Sequence, residues 1–152
     1  MIFDFSQNEN SQKINGFCTK LFSEIPGLIF EFVIAPDNTY LFPIVSKSVQ
    51  DFFELSLDHF SDSDKFKIYD RVFEQDRLSF FQSLVNAKRN RSRWDFEFRV
   101  LLPEKGLRWY KVFSKSELYT DGNISFYGKI SDITDLKEQE MKVKVFEERF
   151  KF

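Results

Sequence analysis

Hydrophobic and polar residues alternate in the second half of the chain, which predicts β-strands there. Within residues 94–102 every second position is apolar, so one face of this strand is expected to be dry and the other wet. The charged residues of the wet face are Asp95, Glu97 and Arg99. Turn sequences at 103–106 and 121–122 lead into strands at 107–119 and 124–133, and together the three segments predict an antiparallel meander.

Two shorter apolar runs predict a hairpin in the first half. The run at 28–34 is rich in β-branched and aromatic residues, a turn sequence occupies 35–38, and a second strand follows at 39–45. Pro43 has no backbone N–H to donate to a sheet ladder. The second strand is therefore predicted to lie at a sheet edge or to contain a bulge.

Apolar residues recur at intervals of three to five in the regions before and after the hairpin, which predicts helices there. Short helical pieces are predicted after residue 46, and a longer helix follows Asp76 and runs to about Lys88. The apolar residues expected on the buried face of this helix are Leu78, Phe81, Leu84 and Val85. Before Pro26, an amphipathic helix is predicted to carry Phe17, Leu21 and Phe22.

The tail of the chain predicts an exit helix that begins near Thr134, a residue type that suits a helix N-cap. Leu136, Val143 and Phe150 recur at intervals of seven, with Phe146 between them, and most of their neighbours are charged. This spacing is typical of a coiled-coil seam.

Composition and charge narrow the functional classes. The 152 residues include 21 Phe and only two Ala, and bulky rings suit sheet faces better than tight helix contacts. With 22 basic and 24 acidic residues, the net charge of −2 argues against a nucleic-acid partner. No apolar run is long enough for a membrane helix, so no membrane contact is expected of this segment, and the single Cys18 indicates a cytoplasmic protein.

Residues that could carry catalysis are few. His59 is the only histidine and Cys18 the only thiol, and no metal-binding spacing or glycine-rich phosphate loop occurs. The neighbouring acidic pairs, Asp62 with Asp64 and Glu147 with Glu148, are best explained as solvated surface. The composition therefore predicts a protein that is not an enzyme and has no metal site.

Three motifs together resemble the PAS domain family. The segment 71–77 resembles the family's Val-His-Pro-Asp-Asp-Arg element, with Phe73 in place of the usual His. The strand 94–100 followed by 106–109 is similar to the family's paired strands with their Arg-Trp signature. The segment 131–137 matches the Asp-Ile-Thr element that closes the last strand and opens the signalling helix. The resemblance covers about residues 20–140.

The resemblance implies an α+β fold with a five-stranded antiparallel sheet in the order 2-1-5-4-3, helices over one face, and a cavity between the layers. The domain boundaries expected from it are an N-terminal amphipathic helix at 1–20, the PAS domain at 21–135, and the start of a signalling helix at 136–152 that continues beyond the end of the chain. The final residues also resemble the lead-in to a second PAS repeat.

The function that the resemblance implies is a sensory and dimerisation module of a bacterial signal transducer. A downstream PAS, histidine kinase or diguanylate cyclase (GGDEF) domain is expected in the same polypeptide. Asp132 and Thr134 are expected to pass the signal into the exit helix. A homodimer is expected through the two terminal helices, and the expected contact residues are Phe17, Leu21, Val143, Phe146 and Phe150.

Departures from the family bear on cofactors. No cysteine lies between residues 19 and 152, which excludes the flavin-adduct chemistry of the flavin-binding branch, and the long helix lacks the axial histidine of haem-binding relatives, which leaves only His59. No cofactor is therefore expected, although a small apolar or aromatic ligand remains an option. Strand alternation and the long helix predict the lining of its pocket: Phe30, Phe42, Phe81, Val85, Phe96, Phe98, Trp109, Phe126 and Ile130.

Two other functions remain open at the level of the sequence. A small-molecule enzyme of the isomerase or dehydratase type could use a cone-shaped α+β fold, but such sites need ionisable groups in the chamber, and none occurs among the expected inward positions. A ligand-free structural interaction domain would differ from the leading hypothesis only in whether the cavity is occupied.

Overall fold

A computed structural model describes residues 16–18, 20–21, 24–56 and 67–150. Residues 16–18, 20, 21 and 24 are helical, in agreement with the helix predicted before Pro26. His59, Phe22 and most of the predicted segment 1–20 lie outside the described residues.

Five strands form one antiparallel sheet in the order β2-β1-β5-β4-β3. Their bounds are Leu28–Ile34 (β1), Tyr40–Val45 (β2), Trp94–Leu102 (β3), Gly106–Leu118 (β4) and Ile124–Asp132 (β5). This confirms the predicted fold, strand order and meander, with the strand ends within one residue of the predicted positions. β2 is an edge strand, and its pairing with β1 is irregular between Glu31 and Val33, opposite Pro43. Both features expected of a proline-containing strand are therefore present.

Four further helices are described after residue 24. They are α1 (Val49–Phe53), α2 (Lys67–Arg71), α3 (Arg77–Asn90), which follows a 3-10 turn at Glu74–Asp76, and α4 (Thr134–Arg149). The first three bury apolar side chains against one face of the sheet, here called the inner face, and this layer is the core. The opposite, outer face carries the charged residues of β3, as the alternation predicted.

The centre of the sheet is closely packed at Gly128 in β5. A β-carbon at this position would lie 2.0 Å from the carbonyl oxygen of Phe113 on β4, closer than real contacts allow. Only glycine lets the two strands approach in this way. In the described part of the chain, no helix is long and apolar enough to span a membrane.

Candidate functional site

The described residues almost fill the space between the sheet and the helices. A small apolar cavity of about 20 Å³ remains there, close to the space that one water molecule needs. The side chains that line it are Leu28, Phe30, Phe32, Phe42, Val45, Ile68, Phe80, Trp94, Phe98 and Ile130. Four predicted lining residues, Phe30, Phe42, Phe98 and Ile130, are therefore at this cavity.

The prediction that Phe81 lines the pocket is wrong. Phe81 is 53% exposed, and the buried residues of α3 are Phe80, Leu84 and Ala87. Both faces of this helix satisfy a three- and four-residue spacing, so periodicity alone could not separate them. Phe80 is selected because its ring packs edge-on against Trp94 and Phe98, with centroids 5.3 and 4.9 Å away.

The inward prediction for Trp109 is also wrong. Trp109 pairs with Arg99 on the outer face, whereas the inward residue at this point of β4 is Tyr110, which pairs with Phe98. The aromatic side chain at 110 is fully buried and its hydroxyl donates to the Phe52 carbonyl of α1. Because Trp109 and Tyr110 are both aromatic, the sequence did not show which of them faces inward. The hydrogen bond to Phe52 satisfies the hydroxyl group of Tyr110 inside the core.

Three further residues that were predicted to line the pocket, Phe126, Phe96 and Val85, are not among those that line this cavity. Phe126 is fully buried with its ring centroid 6.3 Å from that of Trp94. Phe96 is partly buried and stacks parallel to Phe98, with 6.3 Å between the ring centroids. Val85 is half-buried on α3, outside the core cluster.

Asp132 and Thr134, the two residues predicted to transfer a signal, are hydrogen-bonded to each other at the base of α4. One carboxylate oxygen of Asp132 accepts from the Thr134 backbone at 2.9 Å and from its hydroxyl at 2.5 Å. The other accepts from the Arg108 guanidinium at 2.7 Å. Burial alone would raise the pKa of Asp132, but the hydrogen bonds from Thr134 and Arg108 lower it overall.

Thr134 ties the helix to the sheet rather than capping it. The N-cap position is Ile133 and Thr134 is the first helical residue. Its hydroxyl oxygen accepts from the backbone N–H of Trp109 at 2.9 Å, and the Trp109 carbonyl accepts from the backbone N–H of Ile133 at 2.8 Å. The start of α4 is thus bonded to β4 at Trp109, the fourth residue of that strand.

A stack of cations and rings extends this junction across the outer face. The Arg99 guanidinium lies 4.6 Å from the ring centroid of Phe73 and 5.3 Å from that of Trp109. On α4, the Lys137 ammonium lies 5.1 Å from the same Trp109 ring and 2.5 Å from a carboxylate oxygen of Glu97. Phe73 is therefore one end of a packed row that reaches the exit helix.

The residues predicted to form dimer contacts are exposed. Phe17 and Leu21 are exposed near the start of the described chain, and Val143, Phe146 and Phe150 are exposed on and just after α4. Thr134 is the only buried residue of α4. The helix therefore extends from the sheet with its apolar residues uncovered by described parts of this chain.

Chemistry-bearing groups are sparse among the described residues. No group of three or more His, Cys, Asp or Glu there could hold a metal ion. Cys18 is half-buried and forms no disulfide. On the inner face, the buried polar side chains are Ser114 and Tyr110, and burial raises the pKa of Tyr110.

Sequence reasoning missed Glu31, which the structure buries on the outer face of β1. Its carboxylate accepts from the Ser125 hydroxyl at 2.7 Å and from the Tyr119 hydroxyl at 3.0 Å. The sequence does contain one indication that Glu31 is unusual, since it is the single charged residue in the apolar run 28–34.

Comparisons with known proteins agree with this architecture. The chain matches the family model of the PAS fold over residues 43–131. No curated protein matches its sequence.

Solved structures with a similar fold include signalling proteins. A sensory box histidine kinase/response regulator from Burkholderia thailandensis is 17% identical and has a TM-score of 0.56, covering 93% of this chain and 97% of that one. The N-terminal domain of a diguanylate cyclase with a PAS/PAC sensor from Marinobacter aquaeolei is 13% identical, with a TM-score of 0.58 and coverage of 72% and 98%. A PAS domain from Colwellia psychrerythraea is 13% identical, with a TM-score of 0.55 and coverage of 80% and 98%.

Proposed function

Because the chain belongs to the PAS-fold family, we propose that it is a non-enzymatic sensory and dimerisation module of a larger cytoplasmic signalling polypeptide. The observation that carries the proposal is the junction of Asp132, Thr134 and Arg108 at the base of α4. It bonds the exit helix to two strands of the sheet, so a change in sheet packing changes the support of the helix. A bonded junction that can form or break is the kind of two-state element that transmits a signal.

The output domain proposed for the parent is a histidine kinase or a diguanylate cyclase. Similar folds occur in proteins of both names. In either case α4 would lead from the sheet to the output domain, and the exposed stripe on α4 would pair with that of a second copy.

The small volume of the core cavity limits which ligands this domain could sense. A cavity of about 20 Å³ has no room for flavin or haem, and its lining is entirely apolar. This supports a module without a cofactor, in which a partner contact or a small apolar molecule changes the packing. The scarcity of ionisable groups on the inner face argues against an enzyme of the isomerase type.

Substitution of Thr134 tests the proposal, because the chain contains a matched control. Thr39, in the turn between β1 and β2, bonds to Asp37 as Thr134 bonds to Asp132, through both its backbone N–H at 3.0 Å and its hydroxyl at 2.6 Å. Output activity is measured in the full-length polypeptide for the wild type, Thr134→Ala and Thr39→Ala. We expect Thr134→Ala to change the basal output several-fold and Thr39→Ala to leave it unchanged.

Hydrogen exchange of the first turn of α4 provides the second measurement. We expect exchange to become faster in Thr134→Ala, because the hydroxyl that holds Trp109 is lost. Faster exchange with unchanged output would show that the junction is only structural and would contradict the proposal. Restoration of normal output by Thr134→Ser, which keeps the hydroxyl, would support it.

A further inference from the structure

A groove on the outer face of the sheet is separate from both the core cavity and the base of α4. Its volume is about 1150 Å³, and it crosses β1, β5 and β4. Most of the described surface that lines it is apolar, with Ile29 and Ile44 on one side and Phe113 and Tyr127 on the other. Its volume slightly exceeds the usual range of small-molecule pockets, about 300–1,000 Å³, because the groove is open to solvent.

The polar centre of the groove is Glu31. This residue is only 7% exposed and lies opposite Tyr127 in the pairing of β1 with β5. Both of its hydrogen bonds, from Tyr119 and Ser125, go to the same oxygen, Oε2. The other oxygen, Oε1, is buried and has no hydrogen-bond partner among the described residues.

A buried carboxylate oxygen without a donor is energetically unfavourable, because it has lost water and gained nothing in return. No ion pair compensates for it in the described part of the chain, where the salt bridges involve other carboxylates. Lys115 and Lys129 line the same groove, yet neither is among the described salt bridges with Glu31 as a partner. A hydrogen-bond donor completes this arrangement, and a donor that also carries positive charge does so most strongly because the acceptor is a carboxylate.

We propose that the groove binds a small organic amine that carries an aromatic or aliphatic body. Its ammonium group donates to Oε1 of Glu31, which requires the carboxylate to turn toward the groove because this oxygen is buried in the structure as it stands. Its body lies on the apolar floor beside Ile29 and Ile44, and the Tyr127 ring, which is partly exposed, adds a face that attracts a cation. The proposed ligand has one positive charge.

The lysines favour a small amine over a basic segment of a protein. Lys115 and Lys129 flank Tyr127 along the two strands on that side, because Lys115 pairs with Tyr127 and Lys129 follows it by two residues. A partner surface with several basic side chains would be repelled by both ammonium groups, whereas a single ammonium can reach Glu31 and leave them in water.

Binding of 2-phenylethylamine to the purified chain, measured by isothermal titration calorimetry, tests the proposal. The neutral analogue 2-phenylethanol has nearly the same shape but no charge. We expect it to bind at least about tenfold more weakly, the usual effect of losing a charged hydrogen bond. We expect Glu31→Gln to weaken binding of the amine by a similar factor. The matched control is Glu138→Gln, which changes an exposed glutamate of α4 outside the groove and should leave the affinity within about twofold.

Three results would overturn the proposal: no binding of the amine at millimolar concentration, equal binding by Glu31→Gln, or equal binding of the alcohol. Should Glu31→Gln fail to fold, a chemical-shift map of the wild type decides the question. Shifts centred on Ile29, Ile44 and Tyr127 would support the site, and shifts centred elsewhere would contradict it. Self-association that depends on Glu31 would assign the groove to a second copy and would also overturn it.

Discussion

Phe80 and Phe81 are neighbours in the sequence, but only one of them stabilises the core. Phe80 is 1% exposed and its ring contacts Trp94 and Phe98, whereas the Phe81 ring lies largely in solvent. We expect Phe80→Ala to lower the free energy of unfolding by about 3–5 kcal/mol, because it removes buried surface and leaves a cavity. We expect Phe81→Ala to change it by less than about 0.5 kcal/mol.

Chemical denaturation of the two variants measures this difference directly. Both substitutions remove a phenyl ring from adjacent positions of α3. The difference in stability between the two variants therefore reports how deeply each ring is buried. Equal losses of stability would contradict the assignment of the buried helix face, and a larger loss for Phe81→Ala would reverse it.

Individual residues were less predictable from the sequence than their strands. Alternation placed Phe98 and Ile130 inward because charged neighbours marked the opposite face. It failed for Trp109, because the adjacent Tyr110 is also aromatic and only the Phe52 carbonyl, 58 residues away, provides a partner for the tyrosine hydroxyl. The carboxylate of Glu31 likewise depends on Tyr119 and Ser125, which come from distant parts of the chain.

At the scale of elements, strands were predicted well because their signals are local. Period-two alternation and turn residues lie within each hairpin, so the bounds of β3 to β5 agree with the structure to within one residue. The face of α3 depends instead on which rings the sheet presents to it. The order of the strands was implied by the resemblance to a family and could not be obtained from periodicity.

An ion pair joins the start of α3 to β3 and makes their contact dependent on pH. Asp76 accepts from the Arg99 guanidinium at 2.6 and 2.9 Å and from the Arg99 backbone at 2.8 Å. The hydrogen bond from the Arg99 side chain lowers the pKa of Asp76 below its usual value. Because the pKa is lower in the folded state, this contact stabilises the fold above about pH 4, the ordinary range of Asp, and is lost as the pH falls through the lowered value.

Asp76→Asn tests this pH dependence. At pH 7 we expect the variant to be less stable than the wild type by about 1–3 kcal/mol, the usual cost of removing one partner of charged hydrogen bonds. We expect the difference to narrow as the pH is lowered from 5 towards 2, because the wild-type carboxyl becomes protonated. Urea denaturation across this range measures it. A constant difference would show that the pKa of Asp76 is not lowered, and Asp95→Asn, on the wet face of β3, should have little effect at any pH.

For the whole molecule, the described contacts divide into a packed body and a helix that extends from it. The rings of the inner face fill the space between sheet and helices, and the base of α4 is bonded to β4 and β5. Beyond its first turn, α4 buries no residue against the described chain. The exposed apolar stripe on α4 is therefore a surface at which another protein segment can associate.

Sedimentation velocity between about 1 and 100 μM tests whether this stripe forms the proposed dimer. Phe146 is 63% exposed and lies on the seam with Val143 and Phe150, whereas Val145 is similarly exposed but lies off it. We expect the wild type to dimerise, Phe146→Glu to be monomeric because two like charges would face each other across the seam, and Val145→Glu to remain dimeric. A wild type that stays monomeric throughout would contradict the dimer, and equal disruption by both variants would contradict the seam. Because Phe17 is exposed at the other end of the chain, a dimer that persists in Phe146→Glu but is lost in Phe17→Glu would place the contact at the N-terminal helix instead.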